Sequence, residues 1–164
     1  MPYSLFNQLQ LDQLYLPFLQ KVLDVAAACK ARGCHFEARA GFRSFEEQER
    51  LFNQGRTTPG PVVTDALPGY SAHNYGLAVD FARLEAGRYL RDARDYAVLG
   101  QEAAKAGLSW GGTFHHLKDA AHVQLPGYVD ARELEPLRQV YLAHPQAPLS
   151  SVWEYLDGRA GGHA

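Results

Sequence analysis

The chain has 164 residues, of which 46% are hydrophobic and 21% charged, with a formal net charge of −2. That length fits one domain able to bury its own core, and the balanced charge supplies no general basic field for nucleic acid or anionic lipid. No apolar run approaches the ~20 residues needed to span a bilayer, and no Lys or Arg precedes Lys21, so neither membrane insertion nor a signal peptide is expected.

In chain order, Leu19, Val22, Leu23, Ala26 and Cys29 form an i, i+3, i+4, i+7 stripe that predicts a helix. Pro17 suits its first turn and Gly33 its end. His35 to Ala38 reads as a short strand. Cys29 and Cys34 are too widely spaced for a usual zinc pair and too few for a disulfide framework, so they read as two partly buried thiols. Ser44, with Glu47 three residues on, forms a capping box for a helix ending near Gln54 and stopping at Gly55. Residues 55–70, rich in Gly, Pro and Thr, read as a surface loop. Leu77 to Phe81, apolar except for Asp80, reads as a buried strand, and residues 84–91 as a turn or small hairpin. Asp92 is placed to cap a helix over 93–106, closed by Gly107. Leu108 to Trp110 and Ala121 to Leu125 read as strands on either side of the Gly111-Gly112 turn. Asp130 and Glu133 make a second capping box, opening a helix over 131–142. Trp153 reads as the anchor of a last helical stretch, before a Gly-rich end that should fray. Short strands intermixed with helices, without a βαβ repeat, predict an α+β domain with a small, mostly antiparallel sheet and flanking helices.

Two segments place metal-binding residue types beside predicted strands. His73 precedes one strand and Asp80 lies inside it among apolar neighbours, where a carboxylate is costly unless paired or bound to a metal. Gly76 allows a tight turn between them. His122 opens another strand, with Asp119 three residues earlier. Two imidazoles and a carboxylate are the ligand set of a catalytic zinc, with a fourth position left for water. Asp119, outside that set, is the candidate general base. Arg43, where a strand hands over to a capped helix, is positioned to stabilise an oxyanion or to clamp a substrate carboxylate.

These residues resemble a known family. Gly41-Phe42-Arg43-Ser44-Phe45-Glu46-Glu47-Gln48 is similar to a segment of the D-alanyl-D-alanine metallopeptidase superfamily. Ser71, His73, Gly76, Ala78 and Asp80 match its SxHxxGxAxD motif, and Trp110-Gly111-Gly112 with Asp119 to His122 resembles its WGG and (D/E)xxH segment. With Val63-Thr64 and Asn74, the pattern looks most like the L-alanyl-D-glutamate endopeptidases of phage endolysins and bacterial wall hydrolases. The resemblance covers roughly residues 16–126, leaving a C-terminal helical extension over about 130–157 within a single domain. It implies one zinc on His73, Asp80 and His122, an acid/base at Asp119, an assisting Arg43, and a fold shared with hedgehog domains. It also implies a peptidoglycan stem peptide as substrate. Ser71, Gln48, Tyr75 and His116, in or beside the motifs, are the candidate substrate contacts. Ala121 and Val123 depart from the proline and aromatic that often flank the last histidine.

The function this implies is hydrolysis of the L-alanyl-D-glutamate bond in the stem peptide, by a monomer. Within the same chemistry the alternative is a D-Ala-D-Ala carboxypeptidase or dipeptidase. The alternative from another class is a zinc-binding module without activity. A protein made in the cytoplasm without a signal peptide would reach the wall through a holin-type or other release.

Overall fold

The computed structural model describes residues 11–161. Helix α1 (Leu16–Ala31) carries Pro17 in its first turn and buries Phe18, Leu19, Val22, Val25, Ala26 and Cys29. That face packs on strand β1 (His35–Ala40) and on helix α3 (Ala97–Lys105). Between them the chain forms helix α2 (Phe45–Asn53), strands β2 (Ala78–Glu85) and β3 (Arg88–Leu90), and a 3-10 turn over Ala93–Tyr96. Strands β4 (Ser109–Trp110) and β5 (His122–Gln124) follow, then helices α4 (Ala131–Ala143) and α5 (Pro148–Gly161). The sheet order is β1-β2-β5-β4, with β3 paired to β2, and every pairing is antiparallel. No described helix is long and apolar enough to cross a membrane.

The architecture is the expected α+β one, with differences that have local causes. Strand β2 runs four residues beyond Phe81, because its outer half pairs with both β1 and β3. The β2–β3 turn at Ala86-Gly87 has φ of 47° and 75°, the hand that suits a two-residue hairpin. The helix expected over 93–106 begins instead as a 3-10 turn, which the Asp92 carboxylate caps by accepting from Arg94 N–H at 2.9 Å. Ser44 accepts from Glu47 N–H at 3.0 Å, but the Glu47 carboxylate turns outward to Arg50, so only half of that capping box forms. The Asp130–Glu133 box is complete. Cys29 and Cys34 are free and buried, Cys29 completely; burial pushes the Cys29 thiol up to about 11. Helix α5 continues through Gly158 to Gly161, so most of the end expected to fray is helical, and the last three residues lie outside the described ones.

Alternation along β2 sorts its side chains. Val79 and Phe81 are fully buried in the layer that holds Phe36, Val123 and Leu99. Asp80 therefore leaves the opposite face of the sheet rather than entering the apolar core. On the far side of the segment preceding β2, α4 and α5 close the structure. Trp153 Nε1 donates to Tyr75 O at 2.9 Å, Tyr141 stacks on Phe45 at 4.5 Å, and Tyr70 OH donates to Glu135 at 2.6 Å.

Two glycines receive the Trp110 ring. A Cβ at Gly100 in α3 would lie 2.4 Å from the ring, and one at Gly112 would lie 2.3 Å from it. The indole is fixed by its Nε1–H donating to Ala120 O at 2.8 Å. Gly100→Ala should therefore destabilise the protein. Alanine gains about 1 kcal/mol of helix propensity, but overpacking a fixed ring costs about 1–3 kcal/mol. A fall in the urea midpoint at unchanged slope is the expected result.

Candidate metal centre

Three side chains converge on the open face of the sheet. Asp80 and His122 are direct cross-strand partners on β2 and β5, so both project to the same side, a few ångströms apart. His73 reaches them from the 3-10 turn Ala72–Tyr75, which ends at Gly76 with φ 68°, where a Cβ would collide with Gln13 O. His73 Nε2 lies 3.2 Å from Asp80 Oδ1, and His122 Nδ1 lies 2.9 Å from the same oxygen. One ligand atom from each of the three falls within 4.8 Å of the others.

The hydrogen bonds behind the rings define their chemistry. His73 Nδ1 is 2.7 Å from Gly41 O, and His122 Nε2 is 2.8 Å from Gln124 Oε1. Both partners can only accept, so each ring commits a proton there, and the lone pair of the neutral ring faces Asp80. With both rings neutral, two nitrogen lone pairs and a carboxylate oxygen confront one another, an arrangement relieved by a proton on His122 or by a metal ion among the three. Ligands about 2.0–2.1 Å from a tetrahedral centre sit about 3.4 Å apart, against 3.2 and 2.9 Å for the two imidazole–carboxylate pairs here. The residues present fit a metal ion. Burial alone would raise the Asp80 carboxyl, but the His73 and His122 rings outweigh it and hold it well below the usual carboxylate range. Burial opposes charge on the His122 ring, yet its contact with Asp80 raises its pKa above the ordinary value.

The surroundings are built from the motif residues. Arg43 Nη2 lies 3.8 Å from Asp80 Oδ2, and Arg43 Nη1 donates to Gln48 Oε1 at 3.0 Å. Arg43 N–H also donates to His73 O at 3.0 Å. Asn74, fully buried, joins these segments: its Nδ2 donates to Arg43 O at 2.8 Å and its Oδ1 accepts from Gly69 N–H at 3.0 Å. Asp119 is exposed in the same groove, and its Oδ1 accepts from Ala121 N–H at 3.0 Å, which fixes the side chain in a local turn. Gly111 allows this placement, because a Cβ there would meet Asp119 O at 2.3 Å.

A groove of about 890 Å³ runs over the three converging residues; Arg43, Ser71, His116 and Asp119 also line it. Two other expected contacts do not. Gln48 and Tyr75 are both fully buried. Gln48 spends its amide on Arg43 Nη1, Thr64 Oγ1 and Ala66 O, and Tyr75 OH donates to Gly69 O at 2.6 Å. As candidate substrate contacts they are corrected: their polar atoms are consumed inside the protein. Gln124 and Asn74 had gone without a role in the sequence reading. Their signal is an amide one or two residues after a candidate ligand, with Asn74 also part of the family pattern.

Residues 12–123 match the family described as VanY, D-alanyl-D-alanine carboxypeptidase. The chain belongs to the VanY family. This VanY-family chain is 36% identical over 120 residues to the peptidoglycan L-alanyl-D-glutamate endopeptidase CwlK of Bacillus subtilis, covering 66% of this chain and 72% of that one. Among solved structures it resembles the L-Ala D-Glu endopeptidase ChiX of Serratia marcescens, with 23% identity and a TM-score of 0.53, over 70% of this chain and 82% of that one. It also resembles the E175A mutant of the vancomycin resistance D,D-pentapeptidase VanY in complex with Zn(II). There the identity is 18% and the TM-score 0.54, over 81% of this chain and 83% of that one. Both structural likenesses bear on the fold.

The raised His122 pKa has a measurable consequence. Its metal-free ring keeps a proton to higher pH than an ordinary imidazole, so a metal ion binding there must displace one. Zinc binding should release protons near neutral pH, and its apparent affinity should rise as pH rises. Calorimetric titrations in buffers of different ionisation enthalpy measure that release; heats independent of buffer would contradict it.

Proposed function

We propose that this chain is a zinc-dependent peptidase of peptidoglycan stem peptides that cleaves the L-alanyl–D-glutamate bond. The observation that carries the reading is the convergence of His73 Nε2, Asp80 Oδ1 and His122 Nδ1 in a groove also lined by Asp119 and Arg43. Two nitrogens and one carboxylate oxygen favour zinc among the common divalent ions. Membership of the VanY family supports a peptidase, and the 36% identity to an L-alanyl-D-glutamate endopeptidase supports that bond.

Zinc held there supplies a Lewis acid that acidifies water and polarises a carbonyl. The other tasks fall to the protein. Asp119 takes the proton of the attacking water and passes it to the leaving amine. Its carboxylate suits this work because it is open to the groove and is not one of the converging three. Arg43 stays charged despite burial, which lowers its pKa while Asp80, Glu47 and Asp119 work in the opposite direction. Anchored by Gln48, its guanidinium offers positive charge to the developing oxyanion or to a substrate carboxylate. Ser71 and His116, on the groove wall, are left to hold the peptide.

Asp119→Ala should keep zinc and lose activity by about 10²–10⁴-fold, whereas His122→Ala should lose both. Near-full turnover by Asp119→Ala would remove Asp119 from the mechanism. The bond is tested by mass spectrometry of peptidoglycan digested with and without a chelator. New N-terminal D-Glu ends that vanish on chelation are expected. Release of D-Ala would instead make it a carboxypeptidase, and zinc-loaded protein without product would make it a binding module.

A further inference from the structure

Gln124 lies just past the residues that match the family, and is 3% exposed. It follows His122 by two positions in β5, so both side chains leave the strand on one face. A buried amide left unpartnered is costly. Here the Nε2 group donates to Tyr128 O at 2.8 Å and, at 3.4 Å, to Leu125 O, which turns Oε1 toward His122 Nε2 at 2.8 Å. Flipping the amide would set its carbonyl oxygen against Tyr128 O, so the backbone fixes its orientation independently of the ring.

We propose that Gln124 is a positioning residue that fixes the tautomer and ring plane of His122, presenting Nδ1 to a metal ion. The inference rests on His122 being a metal ligand. The ring proton is committed at Nε2, and the lone pair is left at Nδ1, the atom 2.9 Å from Asp80 Oδ1. Gln124 does this as a neutral amide, so it orients the ring without setting a second negative charge beside Asp80. Through Tyr128 O it also ties the ring to the turn that leads into α4.

The test compares zinc affinity, by competition with a chromophoric chelator, in the native protein, Gln124→Leu and Gln124→Glu. Leucine can neither accept from His122 nor donate to Tyr128, and should weaken zinc binding about 10–100-fold. Glutamate keeps the acceptor and loses the donor, and should stay within a few-fold of the native protein. If Gln124→Leu binds zinc like the native protein, or if Gln124→Glu falls as far as Gln124→Leu, the inference is overturned. The second outcome would assign Gln124 to the Tyr128 turn alone. Nitrogen-15 NMR of the zinc-loaded native protein decides the matter even where Gln124→Leu does not fold. A His122 proton on Nε2 is expected, and a proton on Nδ1 would overturn the inference. Native protein that binds no zinc would defeat the metal reading itself. Native binding with an unaffected Gln124→Leu would defeat only the role of Gln124.

Discussion

A carboxylate held between two imidazoles is the constraint around which this protein is organised. Taking Asp80 out of water is costly, and the cost is offset only while His73, His122 and Arg43 stay within a few ångströms. Each partner arrives on a different element. His122 comes from the neighbouring strand, His73 from a 3-10 turn before β2, and Arg43 from the junction of β1 and α2. Whatever fixes those three approaches fixes the site, and most of the polar interior can be understood in those terms.

Two sets of contacts do this. Asn74 stitches the turn carrying His73 to the backbone at Arg43, while Gly41 O and Gln124 Oε1 orient the rings from behind. The helices α4 and α5 then press on the same turn from outside, through Trp153, Tyr141 and the Tyr70–Glu135 contact. The other face of the sheet carries the apolar layer against α1 and α3, so packing and chemistry are divided between the two sides of five strands. The groove walls are different: residues 63–66 and 113–117 are loop and turn rather than strand, tied to the floor through Gln48 and through Phe114 against His122.

Much of this was legible in the sequence. Helix ends followed from Pro17, Ser44, Asp130 and their neighbours, because capping is a local interaction. The spacing of His73, Asp80 and His122 pointed to a shared site before any geometry was known. The remainder required three dimensions. Asp80 sits in an apolar pentapeptide, and only the pairing of β2 with its neighbours reveals that alternation turns it away from the core. Gln48 and Tyr75 lie in the motifs yet face inward, since a motif marks what a site depends on without distinguishing its lining from its supports. The WGG segment shows the same point: Trp110 fills space over Gly100 and Gly112, while Gly111 makes room for Asp119. The part played by Gln124 depends on a tautomer, which no spacing encodes.

The pairing of Asp80 with His122 across β2 and β5 has one more consequence. Side chains alternate with a period of two, so slipping one strand by a single residue would turn one of the two to the opposite face. A slip of two would restore the face but carry His122 about 7 Å along the strand, so of the alignments open to these short strands, three residue pairs long, only the observed one keeps both beside His73. An ion that binds only the correctly aligned sheet stabilises it over every shifted competitor by mass action. A metal ion held by His73, Asp80 and His122 would in this way favour the sheet assembled in register.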